Sequence, residues 1–257
     1  MMLFSALLLA YGGLANGNAD LVASLEAAYQ DRGVVSSKTV AIADLAAPLH
    51  YLDAGGSISK LVLFVHGAAF SARTWQVLGS LDALAGAGYR AIAIDVPGYG
   101  AQLSGAQKVH DTTLRRELLA RFLDAIGWRR PVLVVSASMG GSFGSPFVLG
   151  NPQRAAGYLS VAAMLDETAA TGASKSLPPA LIVWGSEDAP DSSRAHSHMQ
   201  LFPQSQKIVF PDAPHPCYLK DPKRFNELLL TFASGRAAAG AEPLTVAARW
   251  GGEQFEL

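Results

Sequence analysis

The sequence predicts an α/β domain with a mostly parallel central sheet and helices on both faces. Short unbroken apolar runs recur at 61–65 (L-V-L-F-V), 91–94 (A-I-A-I), 131–135 (P-V-L-V-V) and 180–184 (A-L-I-V-W). Runs that do not alternate with polar residues suit strands covered on both faces. Segments of helical period lie between them, so strands alternate with helices from residue 61 to residue 232. That alternation is the pattern of parallel strands joined by helical crossovers. The residues able to do chemistry stand at strand ends: His66-Gly67, Asp95, Ser138, Asp188 and His215. In open parallel sheets, ligands bind beyond the carboxyl ends of the strands.

Each element has a local reason. Residues 20–32 place Leu21, Leu25 and Tyr29 at helical spacing, with Asp20 as N-cap. Residues 38–43 and 49–52 read as short strands of a hairpin, and 53–56 (D-A-G-G) as a turn. After strand 61–65, Ser71 caps one helix carrying Trp75, Leu78, Leu81 and Leu84, ended by Gly86 and Gly88. After strand 91–94 comes a loop through Tyr99, then a polar connection. An amphipathic helix occupies 112–126, with Leu114, Leu118, Leu119, Phe122 and Ile126 on one side and Gly127 as its stop. Residues 157–162 and 206–210 read as strands and 192–201 as a helix. Asp221 caps the closing helix, with Pro222 at its first position. Residues 163–178 are small and polar and are too few for a separate folded lid.

Length and composition set the frame. The 257 residues suffice for one large α/β domain; half are hydrophobic and 16% charged, ample material for a core. A net charge of -1 without a basic run gives no support for nucleic-acid binding. The single cysteine, Cys217, excludes an internal disulfide framework. Residues 1–11 are almost wholly apolar and precede the small-residue stretch G-N-A at 17–19. The run is short for a membrane span and suits a signal-peptide core or anchor. The expected organisation is a leader at 1–19, one domain at 20–235 and a loosely attached Ala/Gly-rich tail at 236–257. The expected destination is the secretory pathway or a membrane, with the cytoplasm as the alternative.

The chain is organised around residues 132–143 (V-L-V-V-S-A-S-M-G-G-S-F). Between the apolar strand and the helical pattern opened by Phe143 and Phe147 sits S-A-S-M-G. This is a G-x-S-x-G nucleophile elbow with Ser136 in place of the first glycine. The elbow is a tight turn, and its neighbours at minus two and plus two must be small. Ser138 has Ser136 and Gly140 there, whereas Ser136 would have Val134 and Ser138. Size therefore selects Ser138 as nucleophile. The bland alternative is a small-residue strand end packing closely on a helix. An acid and a base at the ends of later strands outweigh it.

A serine hydroxyl needs a base to take its proton and an acid to orient that base. Asp188 and His215 each come after a predicted strand and can reach over the elbow. Glu187, Asp191 and Asp212 are the competing acids; Asp212 lies close to His215 in sequence. His50, His110, His196 and His198 read as surface residues, and His66 as an organiser of its loop. His196 and His198 do not share a helix face, so no metal site is expected. The developing oxyanion needs two backbone donors. Met139 supplies one from the helix start and Ala68 the other, after Gly67.

The order Ser138, Asp188, His215 is that of the α/β-hydrolases. Residues 61–232 resemble that superfamily. Within it, H-G-A-A-F-S-A-R-T-W (66–75), A-G-Y-R-A-I-A-I-D-V-P-G-Y-G (87–100), the S-x-S elbow and H-P-C-Y-L-K-D-P (215–222) resemble the α/β-hydrolase domain-containing protein 14 family. The resemblance implies an α/β-hydrolase fold with little or no lid and hydrolysis of small acyl esters. As the alternative, it implies a protein-lysine deacetylase that passes the acetyl group to coenzyme A. It also allows an N-terminal anchor, since some members have one. Phe70 and Tyr99 are expected to wall the acyl pocket. A binding protein that keeps the fold without catalysis is the reading from another class. Dehalogenase and epoxide-hydrolase chemistry would want an aspartate where Ser138 stands.

Overall fold

A computed structural model describes residues 20, 22–29, 33–57, 59–99, 109, 111–166, 177–188 and 197–237. The expectations for the leader, most of the C-terminal tail, His110, Asp191 and His196 lie outside them. The elements in chain order begin with α1 (22–28), β1 (Val35–Val40), β2 (Leu49–Ala54) and β3 (Leu61–Val65). Next come α2 (Ala72–Val77), α3 (Ser80–Gly86), β4 (Arg90–Ile94), α4 (Thr112–Ala125) and β5 (Val132–Ala137). A 3₁₀ turn (Ser138–Gly140) leads into α5 (Gly141–Gly150), then β6 (Ala155–Val161), β7 (Ala180–Gly185) and α6 (197–201). The last described elements are β8 (Ser205–Phe210), α7 (Cys217–Lys220) and α8 (Pro222–Ala237).

Among the described residues, eight strands form one sheet in the order β1-β2-β4-β3-β5-β6-β7-β8. β2 runs antiparallel to both β1 and β4, and the remaining pairs are parallel. The central apolar strands sit where their composition predicts, with β3 buried along its whole length. One face carries Phe64, Trp75, Leu81, Leu84, Tyr218 and Phe225. The other carries Phe122, Phe143, Phe147, Tyr158 and Phe202. Helices therefore cover both faces, the α/β-hydrolase architecture. Among the described residues, no helix is long and apolar enough to cross a membrane.

Three elements depart from the sequence expectation. The single helix expected after Ser71 is two, because Gly79 adopts φ 74° and turns the chain between α2 and α3. The first strand lies at Val35–Val40 rather than 38–43; it is an edge strand with four exposed residues in its middle, so no burial pattern marks it. β2 runs on through Asp53 and Ala54, because Asp53 is held by Arg90 and Lys38 instead of turning out to solvent.

Candidate active site

β5 delivers the elbow. Its last residues run straight into the 3₁₀ turn, and Ser138 takes φ 48°, a left-handed conformation that strains any residue with a Cβ. The strain is held by packing that only glycines permit. A Cβ at Gly140 would stand 2.5 Å from the Val65 carbonyl oxygen and 2.7 Å from that of His66. A Cβ at Gly141 would stand 2.1 Å from the Met164 carbonyl oxygen. The loop after β6 is pinned over the turn as well: the Met164 N–H donates to the Ser138 carbonyl at 2.8 Å. Ala162, just before it, has φ 45°. Nothing in the sequence marked this loop as part of the site.

Ser136 replaces the usual glycine at minus two, and the structure shows how. Its side chain is buried against α5, where a Cβ on Gly144 would meet its hydroxyl oxygen at 1.9 Å. The larger residue at one position is matched by a missing side chain at the other.

The structure brings Ser138, His215 and Asp188 into one hydrogen-bonded line. The Ser138 hydroxyl lies 2.8 Å from His215 Nε2, and His215 Nδ1 lies 2.5 Å from Asp188 Oδ2. An ionised carboxylate can only accept, so Nδ1 carries the proton and Nε2 is left to accept from the serine. The ends of β7 and β8 set the two partners. The Ser186 N–H donates to the Phe210 carbonyl at 2.9 Å, and the Glu187 N–H to the Ala213 carbonyl at 3.0 Å. Gly185 lets these loops touch, since a Cβ there would fall 2.1 Å from the Ala213 carbonyl oxygen. Asp188 is buried, while its competitors Glu187 and Asp212 are exposed. The Asp212 N–H donates to the Ser186 hydroxyl at 2.8 Å, so that residue shapes the turn before His215.

The H-G loop is fixed from below. His66 is fully buried; its Nε2 accepts from the Val96 N–H at 2.9 Å, and its Nδ1–H donates to the Gly67 carbonyl at 2.8 Å. Burial pushes its imidazole below the ordinary value of 6.5, and the hydrogen-bond pattern is that of the neutral ring. Asp95 Oδ1 accepts from the Ala72 N–H at 2.7 Å and pins the far end of the loop. A turn closed by Phe70 N–H to the Gly67 carbonyl at 3.0 Å holds Ala68 between them, exposed. A Cβ on Gly67 would lie 3.3 Å from Ser138 Cβ, so this loop passes directly beside the elbow. Phe70 and Tyr99 are both half-buried, and they pack against opposite cores.

Two histidines differ from the surface reading. His198 is 1% exposed and stacks on Tyr158, because α6 packs its inner side on the sheet beside Phe202. His50 is bonded to Asp95 at 2.6 Å. Among the described residues, no group of three or more His, Cys, Asp or Glu is placed to hold a metal ion.

Comparison with known proteins agrees with this architecture. Residues 62–174 match the model of the alpha/beta hydrolase family. The chain is 38% identical over 176 residues to ABHD14B of Pongo abelii, provisionally named a protein-lysine deacylase, covering 68% of this chain and 83% of that one. It is 33% identical over 174 residues to ABHD14A of Danio rerio, covering 67% and 64% respectively. Among solved structures, a CIB-like hydrolase from Thermoplasma acidophilum superposes with a TM-score of 0.68 at 20% identity, over 79% of this chain and 99% of the other.

Proposed function

We propose a covalent deacylation for this chain, which belongs to the α/β-hydrolase family and, within it, to the ABHD14-like hydrolases. Ser138 Oγ attacks the acyl carbonyl while its proton passes to His215 Nε2. Asp188 holds the imidazole in the required tautomer and balances the imidazolium that forms. The tetrahedral oxyanion is received by the N–H groups of Met139 and Ala68. His215 returns the proton to the leaving group, which departs as an amine or alcohol and leaves an acyl-serine. Water activated by the same histidine then releases the acid.

The observation that carries this reading is the continuous line from the Ser138 hydroxyl through His215 to buried Asp188, on a serine held at positive φ. The substrate class comes from the relative with a deacylase name, which favours acyl-lysine amides over the simple acyl esters expected from the sequence. Coenzyme A as the second acceptor belongs to the same proposal. It changes only the nucleophile that attacks the acyl-serine. Phe70 and Tyr99 wall the acyl pocket beside Met139.

The test is turnover of an acetyl-lysine peptide and of p-nitrophenyl acetate, each with and without coenzyme A, monitoring lysine, acetate and acetyl-coenzyme A. Ser138-dependent release of free lysine supports the deacylase reading. Nitrophenol release with an untouched peptide moves the chain to the esterase reading. Activity that survives Ser138→Ala overturns the nucleophile.

A further inference from the structure

A second Ser–His–Asp line lies at the sheet edge, away from Ser138. The Ser37 hydroxyl on β1 is 2.8 Å from His50 Nε2, and His50 Nδ1 is 2.6 Å from Asp95 Oδ2. At the proposed catalytic serine the corresponding separations are 2.8 and 2.5 Å. Asp95 resembles Asp188 in burial, each with a side chain 4% exposed. Its other oxygen accepts the Ala72 N–H at 2.7 Å, which fixes the carboxylate. A carboxylate accepts, so the bond to Asp95 assigns the His50 proton to Nδ1 and leaves Nε2 facing the serine as an acceptor. Ser37 is exposed and His50 is partly so, which leaves the serine open to reagents in solution.

We propose that Ser37 is a second reactive serine, a covalent modification site for activated acyl donors such as aryl esters and thioesters. A nucleophile in hydrogen-bond reach of a base, itself oriented by a third group, is the arrangement that activates a hydroxyl. Ser37 Oγ bonds to the acyl carbon as its proton passes to His50 Nε2. The bond from the acyl carbon to the leaving oxygen or sulfur breaks, and its electron pair departs with the aryloxide or thiolate. His50 then returns its proton to the leaving group or to water. The products are acyl-Ser37 and the free phenol or thiol.

The site differs from the elbow in one respect that sets its behaviour. Ser37 lies in an extended strand, where backbone N–H groups run in the plane of the sheet and side chains stand across it. The next N–H therefore does not converge on the developing oxyanion as it does after an elbow serine. Both formation and breakdown of the ester are slowed. The adduct accumulates to one per chain instead of turning over.

The experiment uses the full chain carrying Ser138→Ala, treated with p-nitrophenyl acetate and read by intact mass and peptide mapping. Ser36 is the internal control, since its side chain points to the opposite face of the strand. General-base assistance is worth about 10²–10⁴-fold, so Ser37 is expected to acetylate at least ~tenfold faster than Ser36. His50→Asn keeps a donor toward Asp95 but has no base, and should bring Ser37 down to the Ser36 rate. Equal rates at the two serines, an adduct that survives His50→Asn, or acetyl found on His50 or Lys38 instead would each overturn the proposal. The Ser36 comparison is made within one molecule, so it stands even where the His50 variant folds poorly. Because Ser138 is absent, the outcome is independent of the function proposed for the elbow.

Discussion

Ser136 and Gly144 occupy one space between them: a Cβ on Gly144 would lie 1.9 Å from the Ser136 hydroxyl oxygen and 3.0 Å from its Cβ. The pair is how this chain builds the strand-to-helix turn at Ser138 without the usual first glycine. Gly144→Ala alone is expected to destabilise the fold by about 1–3 kcal/mol, the range for overpacking. Adding Ser136→Gly should recover most of that loss. A double-mutant cycle by denaturant unfolding checks it; additive effects would mean that the two residues are not coupled.

The acid of the line can be identified by substitution. Asp188→Asn leaves the shape but replaces the acceptor-only carboxylate that sets the His215 tautomer with an amide that can also donate. Deacylation should fall by roughly 10⁴-fold with substrate binding little changed. Asp212→Asn, at an exposed turn residue, should alter stability by no more than about 0.5 kcal/mol and leave turnover in place. Steady-state kinetics on the two variants decide between them, and the reverse ranking would give Asp212 the role.

Acid stability should report buried Asp53, on the strand next to the sheet edge. Asp53 accepts from Arg90 Nε at 2.9 Å, Arg90 Nη2 at 2.8 Å and Lys38 Nζ at 2.7 Å. Burial alone would raise its carboxyl, but the bonds from Arg90 and Lys38 outweigh it and hold the group below its ordinary 3.8. A depressed native pKa stabilises the fold fully above the ordinary value, and the contribution is lost as pH falls through the lowered one. Arg90→Met removes the larger partner. It is expected to move the acid-unfolding midpoint to higher pH, read by circular dichroism across a pH series. An unchanged midpoint would remove Asp53 from the acid response.

Much of this site was legible because its requirements are local. The elbow announces itself by small residues around Ser138, an unbroken apolar run marks the strand before Asp188, and a shorter apolar stretch (Ile208–Phe210) ends the strand before His215. The order of the three residues then needed no coordinates. What stayed hidden depends on contacts far apart in sequence. The edge strand β1 has no buried face to leave a pattern. His198 is buried by the packing of a short helix, which its local sequence does not encode. The grip of Met164 on the Ser138 carbonyl, and the match between Ser136 and Gly144, exist only once β5, β6 and α5 are packed together.

The glycine that ends the turn at Ser138 offers a sharper test of strain. At Gly140 the blocking atoms are the backbone carbonyls of Val65 and His66, which no rotamer change can move aside. Gly140→Ala should therefore shift β3 or open the elbow, with a loss of at least about 3 kcal/mol or failure to fold. Thermal unfolding measures it, and a variant as stable as the parent would contradict the packing described.

Acylation of Ser138 is tested most directly by rapid-quench peptide mapping of the enzyme during turnover of an acetyl-lysine peptide. One acetyl group is expected on Ser138, appearing before free acetate and absent from Ser138→Ala. Lysine released with no acetyl ever found on Ser138, or acetyl found on another residue with the same kinetics, would contradict it.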